Sequence, residues 1–217
     1  MCYNFQASVI SFMTGIIGSI IIFNLGGADN KIFGLYFGYV SLMQGIEAIL
    51  WSHQSCDEFH KNITSFGAVL NMSQPLFLLF ASRLFYPSNK NAYILYTTGI
   101  LYTLYEIYHF IEFQKVSHCT TPRKNDPHLV WSWLNMQDTY ITWFVYLTSV
   151  FTLFTFGMPR IEQGIYIGTS SVLLALATAI LYPGRSVGSI WCFFAAFVPV
   201  LYVASKYLTG YKALGTT

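Results

Sequence analysis

The stretch KIFGLYFGYVSLMQGIEAILWSHQSC, residues 31–56, combines the length of a membrane-spanning helix with polar residues near one end. Gln44 and Glu47 are three residues apart and Glu47 and Trp51 are four apart, so an α-helix would place all three on one face. A carboxylate within a membrane helix costs about 2.5–3.5 kcal/mol on insertion scales, so it normally faces the protein interior and has a partner. We therefore expect the other helices to be arranged around this polar face.

The composition places the chain in a membrane. Hydrophobic residues make up 54% of the 217 residues and charged residues only 9%, against about 25% charged in an ordinary soluble domain. So few charges cannot cover a water-facing surface, and the expected partner is the lipid bilayer. The formal net charge is +2, and no basic run exceeds Arg123-Lys124, which excludes a nucleic-acid-binding protein.

Seven apolar segments approach or reach the ~20 residues that span a bilayer, and turn or charged residues separate them. The sequence predicts an all-α integral membrane protein, residues 1–217 forming one domain with seven transmembrane helices in a bundle. Pro75 and Pro199 are expected to kink the third and seventh helices. The predicted helices are residues 7–25, 32–51, 63–85, 92–113, 139–156, 164–181 and 188–208.

The cysteines and histidines concentrate on one face of the predicted bundle, the face that carries the N-terminus. In one interpretation this face is outer or luminal and oxidising, with disulfides among Cys2, Cys56, Cys119 and Cys192. In the other it holds a metal ion, for which the candidate ligands are Cys56, His60, Cys119 and His128. The absence of a paired Cys-x-x-Cys or His-x-x-x-His motif favours disulfides or structural thiols, and no cofactor is expected. Lys and Arg are divided almost evenly between the two faces and do not decide the orientation.

Polar residues recur at a similar depth in several predicted helices. Tyr102, Glu106 and His109 are spaced by four and three residues and therefore share a face of the fourth helix. We expect these groups to meet the Glu47 face in a half-membrane cavity that opens toward the cysteines and histidines. The predicted lining is Gln44, Glu47, Trp51, Asn71, Gln74, Tyr102, Glu106, His109, Thr142 and Trp191.

Three classes of function fit this cavity. A transporter, channel or sensor would bind a small molecule, an ion or a proton there, with Glu47 and Glu106 titrating and His109 carrying a proton or binding the ligand. An intramembrane enzyme would use the thiols or a metal ion on the Cys/His face, with unknown catalytic residues. A structural component of a cellular or viral membrane would use the polar groups only to fix helix packing.

Several familiar seven-helix classes are excluded. A retinal protein needs a lysine in the middle of the last helix, whereas Lys206 lies at its far end. The acidic-Arg-Tyr and N-P-x-x-Y signatures of G-protein-coupled receptors are replaced by SRLFY and FVPVLY. Zinc hydrolases of the ceramidase type need an intramembrane aspartate, and no predicted helix contains one.

The segments MCYNFQAS, LMQGIEAILW and GSIWCFFAAFVPVLY resemble a family of polytopic membrane proteins from bacteria, algae, fungi and large DNA viruses. Its members begin Met-Cys-aromatic-Ser/Asn and carry a Gln-x-x-Glu…Trp motif in the second helix. The resemblance spans nearly the whole chain, implies seven helices and carries no activity with it. It draws attention to Cys2, Gln44, Glu47, Trp51, Trp191 and Cys192, and to His128 as a match for a histidine in the long loop.

Overall fold

The computed structural model describes residues 4–116, 118–123, 126–135, 139–181 and 187–208. The prediction of an all-α fold is confirmed, with a short antiparallel hairpin as an addition in the long loop. The elements are α1 (Phe5–Asn24), α2 (Ala28–Ser52), α3 (Glu58–Met72), α4 (Gln74–Phe85), α5 (Ala92–Phe113), β1 (Thr121–Arg123), β2 (Asp126–Val130), a 3-10 turn (Ser132–Asn135), α6 (Thr139–Gly157), α7 (Ile161–Leu181) and α8 (Val187–Leu208).

Several of these helices have the length and hydropathy of membrane spans. The helices α1, α2, α6, α7 and α8 each qualify, and α3 with α4 qualifies as one span bent by 48°. These five or six spans agree with the prediction of a multi-pass membrane protein. Within the described ranges, α5 does not reach the same hydropathy, since its 22 residues include several tyrosines and threonines besides Glu106, His109 and Glu112.

The predicted third helix is two helices that meet at Ser73. Pro75 lies in the first turn of α4, where a proline is tolerated, and because it has no N–H it cannot continue the hydrogen bonds of α3. The Ser73 hydroxyl donates to the carbonyl oxygens of Val69 at 2.7 Å and Leu70 at 3.1 Å, and lies 2.7 Å from the Tyr39 hydroxyl. The break is therefore supported by hydrogen bonds to carbonyls that end α3.

The central helix is α2, which packs against α1, α3, α4 and α8. It follows α1 after a tight turn in which Gly26 and Gly27 have φ angles of 77° and 75°, a conformation that favours glycine. Gly34 lets the two helices approach closely, since a Cβ there would lie 2.7 Å from the Ser19 carbonyl oxygen. The outer helices instead expose large apolar side chains, as lipid-facing helices do, for example Ile10 and Ile180.

Candidate functional site

A small polar cavity lies between α5, α6, the start of α8, the end of α3 and the 3-10 turn. Its volume is about 20 Å³, just above the minimum of about 10–15 Å³ that holds one water molecule. The lining combines titratable groups with a ring of aromatic side chains. It consists of Asn71, Met72, Glu106, His109, Trp133, Thr142, Trp143, Tyr146 and Trp191.

The titratable groups of this cavity are Glu106 and His109, one helical turn apart on α5. Both are buried, and His109 Nδ1 lies 3.4 Å from Glu106 Oε2. The ring of Tyr105 stacks near His109, and its hydroxyl lies 2.9 Å from Thr142 Oγ1, which joins α5 to α6. The pair can hold one proton in two ways, as a neutral acid beside a neutral imidazole or as a carboxylate beside an imidazolium.

Two of the tryptophans that line this cavity, Trp133 and Trp191, have buried indole nitrogens. The Nε1 atoms of Trp133 and Trp191 are buried and have no hydrogen-bond acceptor among the residues that the structure describes. An indole N–H can only donate, and an unmet donor is costly in a low-dielectric site. The cavity therefore combines room for about one water molecule with buried groups that can donate and accept hydrogen bonds.

Gln44 and Glu47 lie in a separate buried network. Ser11 of α1 donates a hydrogen bond to Gln44 Oε1 at 2.7 Å, and Gln44 Nε2 donates to Glu47 Oε2 at 3.0 Å. All three side chains are fully buried, and Cys192 of α8 is close enough to Glu47 for electrostatic interaction. The polar face of α2 is thus covered by α1 and α8, and neither Gln44 nor Glu47 lines the polar cavity.

Some of the other residues that were predicted to line the cavity do line it, and others lie outside it. Asn71, Thr142 and Trp191 line the cavity with Glu106 and His109. Gln74 and Tyr102 lie behind its wall: Tyr146 donates a hydrogen bond to Gln74 Oε1, and Tyr102 donates to the Met72 carbonyl oxygen at 2.8 Å. Trp51 is half-buried near the end of α2 and does not line the cavity. The lining residues that the sequence did not indicate are Met72, Trp133, Trp143 and Tyr146.

The Cys/His face carries a disulfide. Cys56, after α2, is joined to Cys119, before β1, with their Cα atoms 5.7 Å apart. In this arrangement neither sulfur is a thiolate that could bind a metal ion. Cys192 is a buried free thiol, and Cys2 lies outside the described residues.

His60 connects the same two segments by hydrogen bonds. Its side chain is fully buried, with Nδ1 2.7 Å from the His53 carbonyl oxygen and Nε2 3.2 Å from the Thr120 amide nitrogen. Nε2 also lies 3.0 Å from the Thr120 carbonyl oxygen, so hydrogen bonds occupy both ring nitrogens. His128 lies on β2, buried, and no metal-binding group of three or more side chains occurs within the described ranges. The predicted ligand set of Cys56, His60, Cys119 and His128 is therefore not assembled there.

Asp57 makes the stability of this face depend on pH. Its Oδ1 accepts a hydrogen bond from the His60 N–H at 3.0 Å, which begins α3, and its Oδ2 lies 2.7 Å from His53 Nε2 and 3.1 Å from the Ser55 hydroxyl. The His60 amide first, and the His53 side chain second, lower the pKa of Asp57 from 3.8 to about 2. The carboxylate thus stabilises the fold above its unfolded pKa and loses that effect as the pH falls toward about 2.

We expect Asp57→Asn to reduce the pH dependence of stability in this range. The wild-type melting temperature should fall from pH ~4 to pH ~2 more steeply than that of the variant, because the asparagine still caps α3 but does not titrate. Thermal unfolding in detergent, followed by near-ultraviolet circular dichroism, measures both slopes. Glu58→Gln, at the exposed neighbouring position, is the control. Equal slopes in wild type and Asp57→Asn would contradict this role for Asp57.

Comparison of the chain with protein-family models, curated proteins and solved structures gives no match. The resemblance carried by the Met-Cys-aromatic start and the Gln-x-x-Glu…Trp motif therefore stays a prediction. The function is inferred from the geometry of the polar cavity and of the helices around it.

Proposed function

We propose that the chain is a seven-span membrane protein of the transporter, channel or sensor class, in which the Glu106–His109 pair binds and releases a proton. The observation that carries the proposal is a buried acid–base pair in the wall of a cavity that has room for about one water molecule. Buried titratable groups within membrane helices are costly and commonly mark proton or ion sites.

The side-chain distribution of α5 supports counting this helix as a membrane span, which brings the number of spans to seven. Its 22 residues extend for about 33 Å, enough to cross a hydrocarbon core of about 30 Å. Ile100, Leu101 and Leu104 are 60–64% exposed, whereas Glu106 and His109 are buried. An apolar outer face and a polar inner face suit a helix in lipid better than a helix in water.

The size of the cavity favours a proton over a larger substrate. A volume of about 20 Å³ admits a water molecule, whereas sites for small organic ligands usually exceed about 300 Å³. A water molecule beside Glu106 and His109 would accept hydrogen bonds from the indoles of Trp133 and Trp191 and pass protons to the pair. The proton is therefore preferred to the small molecules and ions that the sequence also allowed.

We expect Glu106→Gln to lower proton flux at least about ten-fold, because an amide cannot exchange a proton with His109. The measurement is the rate of internal pH change in liposomes that contain the protein, a trapped pH-sensitive dye and an imposed pH gradient. Glu112→Gln is the matched control, because Glu112 lies two turns further along α5 and its carboxylate pairs with Lys115 instead.

Intrinsic fluorescence separates a sensor from a transporter. Trp133, Trp143 and Trp191 line the cavity, so proton binding by the Glu106–His109 pair should alter their emission when the pH is changed. A pH-dependent emission that His109→Gln abolishes, without proton flux in wild type, would indicate a sensor. Two results would contradict the assignment of the proton site to Glu106 and His109. One is that neither the proton flux nor the tryptophan emission of wild type responds to pH. The other is that both responses persist in Glu106→Gln and in His109→Gln.

A structural role is the second candidate, and the network of Ser11, Gln44 and Glu47 favours it. These fully buried side chains connect α1 to α2 and have no exposure through which a substrate could reach them. A purely structural protein would lose stability in Gln44→Ala and show neither pH response. The disulfide between Cys56 and Cys119 leaves the thiol- or metal-dependent enzyme with less support.

A further inference from the structure

A second and larger cavity lies between α2, α7 and α8. Its volume is about 400 Å³, within the range of binding sites for small ligands. Most of its wall is aromatic or aliphatic, as at Phe33, Ile167 and Leu201. Trp191 belongs to the walls of both cavities and lies at the inner end of this one. We call this cavity the α7–α8 groove.

The length of the α7–α8 groove matches one leaflet of a bilayer. Along α8 its lining runs from Trp191 to Ser205, and along α7 from Gln163 to Leu174. At 1.5 Å per residue these distances are about 21 Å and about 16 Å, and half of a hydrocarbon core is about 15 Å. Tyr166 and Leu201, which line the groove, are 73% and 66% exposed, so it is reached from the lipid-facing side of the helices.

The charged groups next to the groove, and the hydrogen-bonded network that they belong to, lie at one end of it. Where α7 begins and α8 ends, Gln163 and Tyr202 belong to a hydrogen-bonded network. Arg160 donates to Gln163 Oε1 at 2.6 Å and forms an ion pair with Asp29 at 2.8 Å. Polar and charged groups of this kind mark the membrane interface. The opposite end of the groove is formed by Ala195 and Trp191.

We propose that the α7–α8 groove binds one acyl chain of a phospholipid from the leaflet next to the α6–α7 turn. The chain lies along α8 with its end near Trp191, and the headgroup stays at the interface beside Gln163. None of the described lining residues is charged, so a free fatty-acid carboxylate drawn into the groove has no counter-charge. At the interface end Arg160 is already paired with Asp29, so a fatty-acid carboxylate gains no free counter-charge there, whereas the zwitterionic headgroup of phosphatidylcholine needs none.

A bulky side chain in the groove tests the proposal. Ser170 lines the groove from an exposed position on α7, and the adjacent Thr169 is exposed but does not line it. Native mass spectrometry of detergent-purified protein with added palmitoyl-oleoyl phosphatidylcholine should show one retained lipid per chain. We expect Ser170→Phe to weaken this retention at least about ten-fold and Thr169→Phe to leave it unchanged.

Fluorescence locates the bound chain without a groove-filling variant. Of the five tryptophans, Trp191 lines the groove. Phosphatidylcholine with a dibrominated acyl chain should therefore quench part of the wild-type tryptophan emission, and this quenching should saturate with added lipid. The Trp191→Phe variant should not show the saturable quenching. This test keeps its value if Ser170→Phe does not fold. It does not depend on a proton site, because Glu106→Gln should leave both lipid retention and quenching unchanged.

Three results would overturn the proposal. Equal lipid retention in wild type, Ser170→Phe and Thr169→Phe, with unsaturable quenching, would mean ordinary annular lipid. Retention of oleic acid in preference to the phospholipid would assign the groove to a free fatty acid. A native mass of two chains without lipid, reduced to one chain by Ser170→Phe, would show that a second copy covers the groove.

Discussion

Gly34→Ala is expected to lower the free energy of unfolding by about 1–3 kcal/mol, the usual cost of overpacking a close contact. A Cβ at this position would lie 2.7 Å from the Ser19 carbonyl oxygen and 2.9 Å from the Phe23 amide nitrogen, both in the backbone of α1. Backbone atoms within a helix cannot move aside as the end of a side chain can, so α1 and α2 would have to separate. Thermal or denaturant unfolding in detergent measures the loss.

Gly38→Ala is the matched control for this prediction. Gly38 lies one turn further along the same face of α2, in the same GLYFG segment, but a Cβ there would be 3.4 Å from Ser19 Cβ, an ordinary contact. We expect it to unfold close to wild type. Equal destabilisation by the two substitutions would show that the close approach of α1 and α2 at Gly34 does not determine the packing.

Loss of the Cys56–Cys119 disulfide should have the second large effect. The two cysteines are 63 residues apart, and the chain-entropy relation assigns up to about 4 kcal/mol to a loop of that length. The double variant Cys56→Ser/Cys119→Ser should therefore melt well below wild type. It should still fold, because the hydrogen bonds of His60 to His53 and Thr120 connect the same segments.

A reducing agent provides the control for the disulfide. It should lower the melting temperature of wild type toward that of the double variant and leave the double variant itself unchanged. Cys192 is buried and separate from the bond, so Cys192→Ser should keep the sensitivity of wild type to the reductant. A wild-type melting temperature that ignores the reductant would contradict a stabilising disulfide.

The helices could be predicted from sequence because hydropathy and length are local properties. The predicted segment 92–113 has the same bounds as α5, and the predicted segment 164–181 differs from α7 only at its start. The break at Ser73 was not predicted, although Pro75 was expected to bend the third helix. A proline can be accommodated by a kink or by a break, and one contact of Ser73 at the break is with the Tyr39 hydroxyl of another helix, which the local sequence does not indicate.

The composition of the cavity could be predicted only in part. The spacing of Glu106 and His109 places them on one face of a helix whatever surrounds it. The division of the polar residues into two groups depends on which helices are neighbours, and nothing in the sequence marks Ser11 as the partner of Gln44. The aromatic wall was missed for another reason, since nineteen Phe and sixteen Tyr make a single aromatic residue uninformative in this chain.

The polar face of α5 has a consequence for biogenesis. On the seven-span topology proposed above, a nascent chain releases α5 from the ribosome before α6, while Glu106 and His109 still lack the side chains that cover them. Insertion of a carboxylate at mid-helix costs about 2.5–3.5 kcal/mol, and α5 does not reach the hydropathy of α1 and α2. The translocon would then hold α5 until α6 emerges and would pass the two into lipid as a helical hairpin, with Tyr105 and Thr142 already facing each other.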